Sequence, residues 1–156
     1  MPGLEEICTL RIDLAPEMGD GGPEGPFGHR FLLEIVGGEV EGERLDGTIR
    51  SGGGDWLLLG RDGWGRLDVR FSIATGDGAT ITYTGVGLLE FNAAVGTALS
   101  TSGETDFDDQ YYRTVGRLEC GDARYAWVNQ SMFVTTGRMA PRTTGRGLEG
   151  RVLRVT

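Results

Sequence analysis

The chain has 156 residues, with 15 basic and 23 acidic side chains, a net charge of −8 and 28 glycines. A field of that sign repels a phosphate backbone and argues against nucleic acid as a partner. Every cation is arginine and the only histidine is His29. There is therefore no Schiff-base or P-loop lysine, and a serine triad or a multi-histidine zinc centre lacks its parts.

In chain order, Ile7 to Leu14 alternates apolar and polar residues, as a half-buried strand should. Ala15 to Gly28, rich in Gly, Pro and acid, reads as a surface loop. Arg30 to Val36 is a strongly apolar strand, and Gly37-Gly38 marks a kink or bulge. Arg44 to Arg50 alternates, with Leu45 and Ile49 opposite Asp46, Thr48 and Arg50. Asp55 to Leu59 runs into the hairpin signal Arg61-Asp62-Gly63. Leu67, Val69, Phe71 and Ile73 then alternate with Asp68, Arg70 and Ser72, and Asp77-Gly78 is a second hairpin signal before the strand Ala79 to Gly85. Asn92 to Gln110 is a long connection with one helical turn near Ala93 to Val95. Gln110 to Glu119, Ala123 to Thr135 and Gly147 to Val155 complete about nine strands. Short strands with glycine-rich turns predict an all-β fold, a sandwich or a barrel. A closed antiparallel barrel of eight to nine strands is preferred because closure leaves no exposed edge. No internal boundary or repeat divides residues 1–156, which read as one β-barrel domain.

The chemistry-bearing residues lie on strand rows. Tyr111, Arg113, Arg117 and Glu119 share one row, and Tyr125, Trp127, Asn129 and Ser131 share another. Such mixtures of rings, arginine, acid and amide line ligand cavities. The same rows facing solvent, with the aliphatic rows filling the barrel, are the alternative. Asp55 or Asp68 paired with Arg70 or Arg113 is equally a structural ion pair at a barrel end. Inside a cavity, a carboxylate in an apolar wall titrates near neutral pH, arginine holds an enolate or carboxylate, and tyrosine donates to the same oxygen. Gly52-Gly53-Gly54 lacks the helix and GK[ST] of a phosphate loop, and Asp106, Asp108 and Asp109 lack the pattern of a calcium loop. His29 reads as an exposed turn residue. Cys8 and Cys120 form no CxxC pair, which suits a reducing compartment. No apolar run is long enough to span a membrane, and Met1-Pro2-Gly3-Leu4-Glu5-Glu6 lacks the form of a signal peptide; the expected location is cytoplasmic.

The ordered segments Ile35 to Ile49, Gly52-Gly53-Gly54-Asp55-Trp56, Leu67-Asp68-Val69-Arg70-Phe71, Asp77 to Ile81, Tyr111-Tyr112-Arg113-Thr114, Gly121 to Asn129 and Phe133 to Arg138 resemble the bacterial and fungal family of domain of unknown function 3237, the UPF0311-type proteins. The resemblance covers nearly the whole chain. It implies a small closed barrel similar to calycins or allene-oxide cyclases, and it points to Asp55, Trp56, Arg70, Tyr111, Arg113, Tyr125, Trp127 and Asn129 as site positions. Glu34 stands where a proline is usual in the family. Some barrels of this shape act as cofactor-free cyclases or isomerases, an analogy at the level of the fold.

The expected function is cofactor-independent acid/base catalysis (cyclisation, isomerisation or lyase chemistry) on a small, partly apolar carbonyl metabolite of secondary metabolism, inside the barrel. Glu34 or Asp55 would move the proton, and Arg70 and Arg113 would stabilise the developing oxyanion. Tyr83, Tyr111 and Tyr125 would donate hydrogen bonds. Trp56, Trp127 and Asn129 would complete the substrate pocket, with no metal. The alternatives are a non-catalytic small-molecule-binding barrel and a homodimer subunit using the face of Val69, Phe71 and Ile73, for which a core role is the preferred reading. All of the chemistry presumes a hollow lumen lined by arginine, acid and rings.

Overall fold

The two-residue periodicity of the sequence becomes ten antiparallel strands in the computed structural model, which describes residues Met1–Thr156. They are β1 (Leu4–Leu14), β2 (Gly19–Asp20), β3 (His29–Glu41), β4 (Gly47–Ile49), β5 (Gly53–Leu59), β6 (Trp64–Thr75), β7 (Thr80–Glu90), β8 (Tyr112–Glu119), β9 (Phe133–Met139) and β10 (Gly147–Val155). Pairing runs β1-β10-β9-β8-β7-β6, passes through β4 and β5 to β3, and closes where β3 meets β1. β4 and β5 together occupy one position of the cylinder, and β2 lies on the free side of β3, so the barrel has eight strands and two extras. The turn Gly63 donates back to Gly60 and the turn Gly78 to Thr75, each at positive φ, so both predicted hairpin glycines occupy positions where a Cβ would be strained. The register between β1 and β3 slips beside Gly37-Gly38, as a bulge does.

Two connections differ from expectation. The single turn near Ala93 is a nine-residue helix, α1 (Ala93–Thr101), capped by the Asn92 side chain accepting from the Val95 amide. The expected strand Ala123 to Thr135 begins only at Phe133. Ala123–Gln130 is a 3-10 helical segment, opened by Asp122 accepting from the Arg124 amide, which buries Tyr125 and Val128. Tyr125, Trp127 and Asn129 therefore share no strand face.

The lumen is not hollow. Leu67, Val69, Phe71 and Ile73 point inward and meet Leu10, Ile35, Ile81 and Phe133 in one buried cluster. They offer no surface to a second copy of the chain. Tyrosine rings fill much of the rest. Phe71 and Tyr83 stack at 4.8 Å, and a Cβ on Gly116 would lie 2.7 Å from the Tyr83 ring. Gly137 gives way to the Tyr112 ring in the same manner. Some of the glycine excess thus makes room for rings inside the sheet. An internal void bounded by Leu33, Asp55, Leu57, Leu99 and Tyr112 among others measures about 20 Å³, space for roughly one water. The reason is side-chain parity: each long strand carries its aliphatics on one side, and the hydrophobic effect puts that side in the lumen. Asp68, Arg70, Arg113 and Arg117 are thereby turned outward. No helix is long and apolar enough to cross a membrane.

Candidate functional site

β5 opens with two glycines and then alternates Asp55 and Leu57 inward with Trp56 outward. Asp55 lies opposite Leu33 on β3 and Val69 on β6. The β5–β6 ladder lapses at the next two positions, where Trp56 and Leu57 would face Asp68 and Leu67. Side chains mend the gap: the Asp68 amide donates to Asp55 Oδ1 at 3.0 Å, and the Arg30 guanidinium donates to the Trp56 carbonyl. The Asp55 side chain is thus partly a structural clasp. Its second oxygen makes no hydrogen bond. Gln110 Oε1 and Thr135 Oγ1 are the sealed side-chain polar atoms without a partner, so Asp55 Oδ2 keeps contact with solvent. Burial pushes the Asp55 carboxyl up to about 6, and the Asp68 carboxylate adds to this. The amide of Asp68 and the charge of Arg30 pull the other way. Inside the wall, Tyr83 and Tyr112 are both held above the ordinary tyrosine range, by burial first. Tyr83 Oη and Thr114 Oγ1 share a hydrogen bond of 2.8 Å.

On the outer wall, Glu34, Gly54 and Arg70 form one cross-strand row. Gly54 has no side chain, so the carboxylate and the guanidinium flank a gap two strand spacings wide, about 10 Å. Glu34 is exposed and makes no hydrogen bond or ion pair, which answers the cost of a carboxylate amid apolar neighbours: it points to water. Arg70 keeps only a loose contact with Asp68, 3.7 Å from Nε to Oδ1. Trp56 lies opposite Leu32 and is 54% exposed, an unusual position for so large a ring. With Glu17 and Met18 from the chain before β2, these residues border a cleft of about 630 Å³ that reaches Asp55.

The cleft brings together Glu34, Asp55, Trp56 and Arg70, and not the other expected positions. Arg113 lies elsewhere on the outer wall, donating to the Tyr112 carbonyl and to Thr136 Oγ1 at 2.7 Å. Tyr111 is exposed, packed edge-on against Trp64 with Arg113 5.3 Å away. Tyr83 is enclosed in the lumen. Tyr125, Trp127 and Asn129 belong to the 3-10 segment: Tyr125 donates to Asp77 Oδ1 at 2.9 Å, Trp127 lies under Arg44, and Asn129 clasps both backbone groups of Cys120. Those partners give all three a structural role there. Met18 and Leu32 are cleft residues that the sequence did not single out; the Gly- and Pro-rich loop at Ala15 to Gly28 was the available signal. His29 stacks on Phe31 and contacts Asp20. Cys8 and Cys120 are both buried and unpaired. No three His, Cys, Asp or Glu side chains are grouped to hold a metal.

Comparison with known proteins agrees with the fold. A curated relative, the UPF0311 protein RPA1785 of Rhodopseudomonas palustris, is 29% identical over 135 residues, covering 85% of this chain and 87% of its own. A β-barrel-like protein from Acinetobacter baumannii superposes with a TM-score of 0.81 at 24% identity, covering 100% of this chain and 97% of its own. A structure described as an enzyme from Penicillium herquei superposes with a TM-score of 0.69 at 20% identity, covering 99% of this chain and 95% of its own. Residues 2–155, from the first strand of the cylinder to the last, match the family described as protein of unknown function (DUF3237), and the chain belongs to that family.

Proposed function

We propose that the protein is a cofactor-independent acid/base enzyme acting on a small, partly apolar carbonyl compound, and that it works in the Trp56 cleft on the outer wall. One observation carries this: a cleft of about 630 Å³ joins an exposed tryptophan, an arginine and a buried carboxyl that titrates near pH 6. The Trp56 ring receives the apolar part of the substrate. Asp55 accepts a proton from the carbon next to the carbonyl, and Arg70 holds the enolate oxygen that results. The proton taken up by Asp55 is then returned to the enolate at another carbon, which restores the carboxylate, while Glu34 faces the substrate from the far side of the gap. Isomerisation and cyclisation both follow from such an enolate, and both suit a step of secondary metabolism. The Penicillium herquei neighbour, described as an enzyme, supports catalysis on this fold by analogy only.

Binding without chemistry is the second reading, and one observation favours it. The Arg70 side chain is 69% exposed, and a site open to water gains less from electrostatic stabilisation than a closed one. The two readings separate in heavy water. A panel of aryl β-diketones incubated with the protein, followed by NMR, should lose the signal of the proton next to the carbonyl faster than in buffer. Asp55→Asn keeps the acceptor for the Asp68 amide and should slow that exchange at least a hundredfold while the diketones still bind. Binding with no accelerated exchange in the unaltered protein would leave the second reading standing.

A further inference from the structure

The same outer wall carries two arginines without a partner. All but two of the fifteen arginines engage a carboxylate, a carbonyl or hydroxyl oxygen, or an aromatic ring, as Arg66 does with Asp62 and Arg151 with Phe107. The two exceptions, Arg50 and Arg117, have no such partner. In a chain of net charge −8, where acid is plentiful, their coincidence on one face needs a cause. Arg50 extends the β4 row alongside Ser72, to whose carbonyl its amide donates at 2.9 Å. Ser72 faces Thr82 on β7. One row over, Arg70 faces Thr84, and Thr84 faces Arg117 on β8. Three arginines therefore surround a floor of three hydroxyl-bearing residues. Glu119, opposite Thr82, and Asp68, 3.7 Å from Arg70, are nearby acids, and neither forms an ion pair with Arg50 or Arg117. A depression of about 240 Å³ over Ser72 and Thr82 shares Gly52, Gly53 and Arg70 with the Trp56 cleft. It also shares Thr82 with a further hollow of about 400 Å³ that contains Arg117. The three hollows thus adjoin one another across the sheet.

We propose that Arg50, Arg70 and Arg117, over the hydroxyls of Ser72, Thr82 and Thr84, hold the anionic group of an elongated organic ligand whose apolar ring lies against Trp56. The group is a carboxylate or a phosphate monoester, the anions whose paired oxygens fit guanidinium forks. Ring and anion would stand roughly 12 Å apart, one to two strand spacings across and two to four residues along the sheet. This rests on the cleft of the proposed function but not on its chemistry, since it requires no proton transfer.

Fluorescence titration with two dyes tests it. Anilinonaphthalenesulfonate has an aromatic body and an anion; phenylnaphthylamine has the same body without the charge. The sulfonate should bind at least tenfold more tightly than the amine. The double substitution Arg50→Gln with Arg117→Gln, at exposed positions where folding should be untouched, should remove most of that advantage and leave the amine unchanged. 6-Naphthylhexanoate and 6-naphthylhexyl phosphate, long enough to bridge ring and arginines, should displace the sulfonate dye, and the better competitor identifies the natural group. Equal affinity for the two dyes, a double variant that binds the sulfonate as well as the parent, or displacement by neither competitor would overturn the proposal. Asp55→Asn should leave dye binding intact. Loss of proton exchange in the diketone assay and loss of dye binding are therefore independent failures.

Discussion

The inner and outer faces of this sheet have opposite chemistry, separated by a single strand's thickness. Inside, Phe133, Ile81 and Val128 are fully sealed and the void beside Asp55 is about the size of one water. Outside, Trp56, Glu34, Arg70 and Arg117 stand in solvent around a groove with glycine, serine and threonine along its floor. A closed eight-stranded cylinder invites the assumption that its lumen is the working space. Here the lumen is filled by side chains and the proposed binding groove lies on the wall, with Asp55 reaching from one to the other.

The contrast is broken most severely from the inside. Phe133→Ala should destabilise the fold by roughly 3–5 kcal/mol in urea unfolding, since the ring is sealed and packs edge-on against Trp127. A cost below about 1 kcal/mol would mean the lumen is looser than described. Asp55 comes next and has the opposite sign. Its folded-state value, about 6, lies above the ordinary carboxyl value of 3.8, so the folded protein holds this proton more tightly than the unfolded chain. The associated stability is fully present below the unfolded value and is lost as pH rises through about 6. At pH 8 the ionised carboxylate therefore costs on the order of 3 kcal/mol. Asp55→Asn should be more stable than the parent at pH 8, with the gain vanishing below about pH 4. No gain at pH 8 would show that the clasp on Asp68 outweighs the burial of charge.

Gly116→Ala is a smaller effect, about 1–3 kcal/mol of destabilisation, because its methyl group meets the Tyr83 ring. Thermal unfolding would show it, and pairing it with Tyr83→Phe, which removes one of the two atoms the methyl group meets at 2.7 Å, should relieve only part of it. Smallest is Arg70→Gln on the outer wall, within about 0.5 kcal/mol in stability yet with a marked loss of enolate stabilisation in the exchange assay. A large stability cost there would place Arg70 among the structural arginines.

Much of the cylinder was legible from alternation alone. Leu67, Val69, Phe71 and Ile73 marked β6, and Asp62-Gly63 and Asp77-Gly78 placed two hairpins. That alternation also held the answer to which face is inward, because the aliphatic row of a strand takes the core and its polar row must then face water. The 3-10 segment was hidden for a physical reason: Tyr125, Trp127 and Asn129 repeat every second residue as a strand would, and only the cap at Asp122 tells the two apart. In the candidate site, Glu34, Asp55, Trp56 and Arg70 were named from the sequence and meet in one cleft. Arg113, Tyr83, Tyr111 and the three residues of the 3-10 segment do not join them, because register and barrel closure, which no local pattern encodes, decide who is neighbour to whom.

The lapse in pairing at Trp56 and Leu57 makes the cylinder unequal around its circumference. Elsewhere adjoining strands are stitched by main-chain bonds indifferent to acidity; here one stitch is a side chain that titrates near pH 6. Raising the pH above 6, which leaves the buried carboxyl ionised at a net cost, should slacken that seam before any other, exposing the Asp68 amide to deuterium ahead of its neighbours on β6. The joint where the barrel opens most easily is then also the threshold between groove and interior.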